Sequence, residues 1–175
     1  MINKIIIVGG GSAGWMTAAT LSKFCSDKEI VLIESPDIPT IGVGESTLGH
    51  INSWLFMMGI KDEDFMKHCD ATYKLSIRFE NFGKIGDGGF HYPFGPPYIK
   101  ENKAQLNDWY FKKIIYPQTH NMDYAECMFP QMAFVGQNRL SDQPNIVDGE
   151  FSFQKDVAYH FDATKFAIWL RDNVC

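Results

Sequence analysis

The chain has 175 residues, 45 % hydrophobic and 21 % charged, with a formal net charge of −5. That length holds one ordinary domain or a slice of a larger one, and that balance argues against wholesale disorder. Sixteen basic against 21 acidic side chains leave no broad electropositive footprint for a nucleic acid. The four cysteines (Cys25, Cys69, Cys127 and Cys175) are scattered singly. Without a CxxC pair or a disulfide-dense spacing, they suit a reducing, cytoplasmic setting. The opening Met-Ile-Asn-Lys lacks a secretory pattern, and Ile5 to Val8 is too short to span a bilayer.

The first 34 residues carry the strongest local grammar. Lys4 to Val8 is a β-branched run of the kind buried on both faces of a parallel sheet. Gly9-Gly10-Gly11 follows, and Ala13 to Phe24 reads as a helix with Ala18, Leu21 and Cys25 at helical spacing. Glu29 to Glu34 is a second strand with an acidic end, completing a parallel βαβ start. Ser35 to Ser46 holds two prolines and two glycines, so it is expected as an ordered loop or extended strap. Thr47 is placed to cap a helix through Met58 that stops at Gly59, and Asp62 to cap another through Asp70. Trp54-Leu55-Phe56 and Met57-Met58 are apolar enough to be core.

Tyr73 to Phe82 alternates, with Tyr73, Leu75, Ile77 and Phe79 on one face and Lys74, Ser76, Arg78 and Glu80 on the other. On periodicity alone, Lys74 is a solvated lysine. The glycine-rich stretch Gly83 to Gly89 turns the chain back, and the prolines in Phe90 to Tyr98 forbid a long central strand. Leu106 to His120 looks helical, ended early by Pro117, with Lys100, Lys103, Lys112 and Lys113 as a solvated face. Residues 121–155 are poorly periodic and receive no element. A short strand at Val157 to His160 precedes a helix capped by Asp162, with Phe166, Trp169 and Leu170 on one face. That helix reaches Cys175 without an evident C-cap or packing partner, so the chain reads as the N-terminal part of something longer. The five histidines show no ligand spacing for a metal, and no serine-nucleophile motif occurs.

Gly9, Gly11 and Gly14 form GxGxxG between a buried strand and a helix, the context that dinucleotide chemistry requires. Gly9 permits the sharp turn, Gly11 lets a pyrophosphate approach the backbone, and Gly14 lets helix and strand pack closely. Gly10 and Ala13 complete the cradle at a helix N-terminus that faces phosphate charge. Glu34, 20 residues after Gly14, can accept from ribose hydroxyls and would repel a 2′-phosphate. FAD or NAD is favoured over NADP; spacing does not separate the first two.

More of the chain is then familiar. Val8 to Ala18 (VGGGSAGWMTA), Asp37 to Thr47 (DIPTIGVGEST), Ala71 to Phe79 (ATYKLSIRF) and Tyr159 to Ala163 (YHFDA) resemble the flavin-dependent tryptophan halogenase family. The resemblance covers most of the chain, whereas the chain covers well under half of a typical member. It implies a Rossmann-like α/β FAD-binding fold of the flavin monooxygenase/halogenase type, with a parallel βαβ start and an antiparallel strand insertion. Residues 1–175 would be the N-terminal portion of a single such domain. In that family, reduced FAD and oxygen give a flavin hydroperoxide, and halide attack on it yields hypohalous acid. A lysine at the end of an internal tunnel presents the acid to an electron-rich arene. By position Lys74 resembles that lysine.

The same resemblance makes GVGES the strap along the flavin, with Ser35, Ile38, Ile41, Val43, Gly44, Glu45 and Ser46 as cofactor contacts. It also implies chloride or bromide as co-substrate and a separate flavin reductase as a diffusive partner. A homodimer is left open, and neither nucleic acid nor membrane is expected. Tryptophan-specific members carry a His-x-Phe pair whose rings sandwich the indole. Here Tyr92 and Phe94 stand in the aligned positions, with His91 one place early, which directs the expectation toward another indole, a phenol or a related arene. As a bare pattern, Phe90, Tyr92 and Phe94 are equally a half-buried strand face. The family's WxWxIP motif and the glutamate assisting the lysine lie downstream, so 175 residues alone are expected to be inactive. A flavin monooxygenase or other FAD/NAD-dependent oxidoreductase without halide chemistry, and a non-catalytic nucleotide-binding fragment, are the alternatives at this stage.

Overall fold

The computed structural model describes residues 2–38, 42, 44–98, 106–119, 122–137, 140, 151–153 and 155–175. They fall into two compact units, Met1–Tyr73 with Ala158–Cys175, and Lys74–Val157.

The first unit begins with Lys4–Val8 (β1), Ser12–Phe24 (α1) and Glu29–Ile33 (β2). The two strands pair in parallel from Lys4 opposite Glu29 to Val8 opposite Ile33. Ala18 and Ala19 are the buried residues of α1, small enough for a helix to approach its neighbours closely. The expectation that β1 is buried on both faces is corrected: Ile5 and Ile7 are half-buried, whereas Ile6 and Val8 are exposed. Among the described residues β1 has one strand neighbour and one helix against it, and a pleated strand then covers only alternate residues.

Glu45–Ser46 (β3), His50–Met58 (α2), Asp62–Phe65 (α3) and Thr72–Lys74 (β4) follow. Ala158–Phe161 (β7) and Ala163–Asn173 (α7) return to this unit from the end of the chain. The order β3-β7-β4 makes a second sheet. Its core gathers Leu55, Phe65, Cys69, Tyr159, Phe161, Phe166, Trp169 and Leu170. The Phe65 ring meets those of Tyr159 at 5.3 Å and Phe166 at 5.8 Å, both edge to face. The apolar face of α7 is thus fully partnered, and the helix closes with the Val174 N–H donating to the Leu170 carbonyl. In α2, Leu55 and Met58 are core as read, but Phe56 and Met57 are exposed.

Two expected caps do other work. Helix α2 starts at His50, because the Thr47 hydroxyl is taken by the Tyr159 backbone, accepting from its N–H at 2.9 Å. Helix α3 is one turn long, capped at Lys61, whose N–H donates to Asp64 at 2.8 Å. The Asp62 carboxylate instead accepts from two phenols, Tyr73 and Tyr159, each at 2.7 Å. One side chain thereby fastens α3 to β4 and β7. Gly59 ends α2 in the left-handed conformation, and Asp162 caps α7 through the Lys165 N–H, both as read.

The second unit is built on Ser76–Glu80 (β5) and Gly89–Pro93 (β6), antiparallel from Ser76 opposite Pro93 to Glu80 opposite Gly89. The single strand expected over Tyr73 to Phe82 is broken at Leu75, a buried residue whose carbonyl accepts from the Phe94 N–H at 3.1 Å. Leu106–Ile115 (α4) ends before Pro117 as read. Tyr124–Met128 (α5) and Met132–Gln137 (α6) occupy part of the stretch that showed no period. Neither helix is long enough for a repeat to emerge from sequence. Lys100 and Lys103 lie outside the described residues, and Lys113 stands 4.9 Å from the Trp109 ring. No helix among the described residues is long and apolar enough to cross a membrane.

Asp62→Ala strands two phenol donors, one of them on a side chain only 1 % exposed, and should cost about 3 kcal/mol. A urea midpoint falling well below wild type, with Asp62→Asn in between, is the expected result. Burial first, then the Asp62 hydrogen bond, holds both phenols protonated above the ordinary 10.0. Burial likewise pushes Cys69 from 9.0 up to about 12. Each group's contribution is complete below its ordinary value and is lost as pH rises toward the folded one. Stability measured by urea titration should therefore decline as pH is raised from about 9 upward.

Candidate functional site

The glycine turn is built by contacts that side chains would prevent. Gly9 has a φ of +117°, where L side chains are strained, and its N–H donates to the Ile33 carbonyl at 2.8 Å. A carbon added at Gly14 would stand 1.9 Å from the Gly9 carbonyl oxygen, so the helix rests on the turn's own backbone. At Gly11 the same carbon would meet nothing within 4 Å. Gly11 is also the N-cap of α1, and no side chain caps that helix end. The Ser12 hydroxyl, the nearest potential cap, donates to the Ala163 carbonyl at 3.3 Å. The turn therefore presents an open backbone face at Gly11 beside exposed Ala13.

Glu34 follows β2 directly and folds back across the turn. A side chain at Gly10 would overlap it, coming within 1.7 Å of Glu34 Oε2. That carboxylate oxygen accepts from Trp15 Nε1 at 3.3 Å, and the other lies 4.0 Å from Arg171. Neither Gly10 nor Trp15 carried this meaning in the sequence.

The strap is attached at both described ends. The Ser35 hydroxyl accepts from the Asp37 N–H at 3.2 Å, Ile38 is exposed, and Gly44 is open on its Cα side. Glu45 pairs with Phe161 and Ser46 with His160, after which the Thr47 N–H donates to the Tyr159 carbonyl. The Glu45 carboxylate lies against Gly42, where an added carbon would come within 2.5 Å of it. Ile41 and Val43 lie outside the described residues.

Lys74, Tyr92 and Phe94 belong to the second unit. The periodicity reading of Lys74 as solvated is corrected: it is half-buried, with Nζ 5.2 Å from the centroid of the Phe94 ring. Burial pulls its ammonium below the ordinary 10.5. The Phe94 ring is itself buried, and its main chain is fixed at both groups: the N–H on Leu75, the carbonyl accepting from Gln131 Nε2. Gln131 is 1 % exposed, and its Oε1 has no hydrogen-bond partner among the described residues. It fell in the unperiodic stretch and left no signal. Tyr92 is exposed opposite Ile77. His91, one step along the strand, alternates to the other face, where its Nδ1 sits 2.8 Å from the Ser76 hydroxyl. It cannot stand in for the Tyr92 ring.

The family model for tryptophan halogenases matches residues 4–175, and the chain belongs to that family. It is 35 % identical to tryptophan 7-halogenase RebH of Lentzea aerocolonigenes over 97 % of its own length and 33 % of that protein. Among solved structures, VirX1 superposes with a TM-score of 0.85 at 42 % identity, over 99 % of this chain and 34 % of that one. Xcc4156, a flavin-dependent halogenase from Xanthomonas campestris, gives 0.79 at 29 %, over 98 % and 33 %. The fold is thus the mixed α/β fold of flavin-dependent halogenases, with its parallel β1–β2 start and antiparallel sheet. The chain spans about a third of the length of the curated relatives it matches.

Gly14→Ala, which drives a methyl into a backbone oxygen, should destabilise by about 1–3 kcal/mol, whereas Gly11→Ala should leave stability near wild type. Thermal melts of the two variants side by side test this. Equal losses would contradict the open face at Gly11.

Proposed function

We propose that the complete protein is a flavin-dependent halogenase of an electron-rich aromatic small molecule, indole-like or phenolic. The observation that carries this reading is the half-buried residue Lys74, with its amine 5.2 Å from the centroid of the buried Phe94 ring. A lysine on a polar strand face would ordinarily extend into water. Here desolvation lowers its proton affinity and a ring faces it, which are conditions for an amine that handles an electrophile beside an arene.

The turn suits the adenosine diphosphate half of FAD. Gly9, Gly10, Gly11, Ala13 and Gly14 would hold the pyrophosphate, because Gly11, where an added carbon meets nothing within 4 Å, lies at an uncapped helix start. Glu34 would accept from the ribose. Ser35, Ile38, Ile41, Val43, Gly44, Glu45 and Ser46 would line the cofactor along the strap. FAD, reduced by a separate reductase, would supply the two electrons that bring dioxygen to the peroxide level, and that oxygen is the two-electron oxidant that would convert chloride or bromide to hypohalous acid.

Lys74 would then hold the hypohalous acid. As an ammonium it donates a hydrogen bond to the acid's oxygen and draws electron density from the halogen. As a neutral amine it takes the halogen on nitrogen and releases water. Either form keeps the electrophile from dispersing. Phe94 and Tyr92 would stack the arene, with Phe94 as the fixed wall and exposed Tyr92 as the adjustable one. Residues 1–175 alone would not halogenate.

The complete protein, given FAD, a flavin reductase, halide and an arene panel, should yield a halide-dependent product by mass spectrometry. Lys74→Ala should lower that product about a hundredfold or more while oxygen consumption by reduced FAD continues. Undiminished product from that variant would remove Lys74 from the chemistry. Gly11→Val should keep its melting temperature and lose FAD affinity in a spectral titration; unchanged affinity would refute the cradle.

A further inference from the structure

The geometry points to Trp15 as the residue that positions Glu34 for the nucleotide ribose, an inference that rests on the cofactor reading above. A glutamate at a strand end has three rotatable bonds and, left alone, samples solvent. Glu34 is instead laid back across Gly10, and the space for that exists only because Gly10 has no side chain. Trp15 supplies what keeps it there. The indole packs against the core cluster around Phe65 and Phe166, while its N–H, a donor that can never accept, reaches Glu34 Oε2 at 3.3 Å.

The other oxygen, Oε1, has Arg171 at 4.0 Å, but that guanidinium is bound more closely by Asp172, at 2.7 Å from Nε. Oε1 is therefore the oxygen available to a ribose hydroxyl. A carboxylate that is already oriented forgoes the ordering cost when ligand arrives. Its fixed negative charge also disfavours a phosphate on the same ribose. Trp15 is thus a positioning residue: it acts on the nucleotide only through Glu34.

The test uses the complete protein and calorimetric titration with ADP and 2′-deoxy-ADP, so that no turnover is needed. Wild type should prefer ADP by about tenfold, the range of one hydrogen bond to a charged acceptor. Trp15→Phe keeps an aromatic ring in the core but loses the donor, and should shrink that preference at least about threefold. Glu34→Gln should also shrink it, and the double variant should lose no more than the larger single loss. Glu34→Asp leaves Trp15 untouched but withdraws the carboxylate by one methylene, and should lose the preference too. A wild-type ratio in Trp15→Phe or Glu34→Asp, with the ratio lost in Glu34→Gln, overturns the role of Trp15 alone. A ratio unchanged in Glu34→Gln, or absent in wild type, overturns the ribose reading and the inference with it.

Discussion

A hydrogen atom at Gly14, where every other residue type has carbon, is the constraint on which the first unit's candidate site depends. With the helix resting on the Gly9 carbonyl, α1 starts close beneath the turn. That closeness brings the fourth residue of the helix, Trp15, level with the end of β2, where Glu34 emerges. It also leaves the Gly11 backbone facing open space rather than the helix. The turn, the open face and the tryptophan–glutamate contact are therefore one arrangement, set by an approach distance.

The first sheet and first helix were legible because their signals are local. A β-branched run, three spaced glycines and an acidic strand end leave few alternatives, and Asp162 and Gly59 mark helix ends by their own chemistry. The middle of the chain was less legible for a physical reason. Thr47 and Asp62 look like caps in one dimension, yet tertiary hydrogen bonds to Tyr159 and Tyr73 outbid the local ones. Leu75 interrupts a perfect alternation because burying it, and giving its carbonyl to Phe94, outweighs continuing the strand.

The site divided in the same way. The sharp turn at Gly9 and the close helix approach at Gly14 are present as the pattern implies, since both are steric and backbone-borne, and Gly11 is open. Lys74 was not legible from periodicity at all; only the family resemblance singled it out, and its half-buried position near Phe94 is at the end of β4, next to a break that no alternation could reveal. Gln131 and the Trp15–Glu34 pair join residues 37 and 19 positions apart, across stretches with no shared pattern. Pairings of that kind come into view only once the chain is folded.

The crowding of Glu34 over Gly10 ties two distant letters of the sequence into one choice. Any attempt to retool the turn for a differently decorated nucleotide would begin by replacing the acid, yet a carbon added at position 10 would still stand 2.6 Å from the Cβ at position 34. A shorter side chain there relieves only the outer part of the overlap, and only glycine at 34 would remove its inner part. Engineering libraries that vary position 34 should therefore keep glycine at position 10.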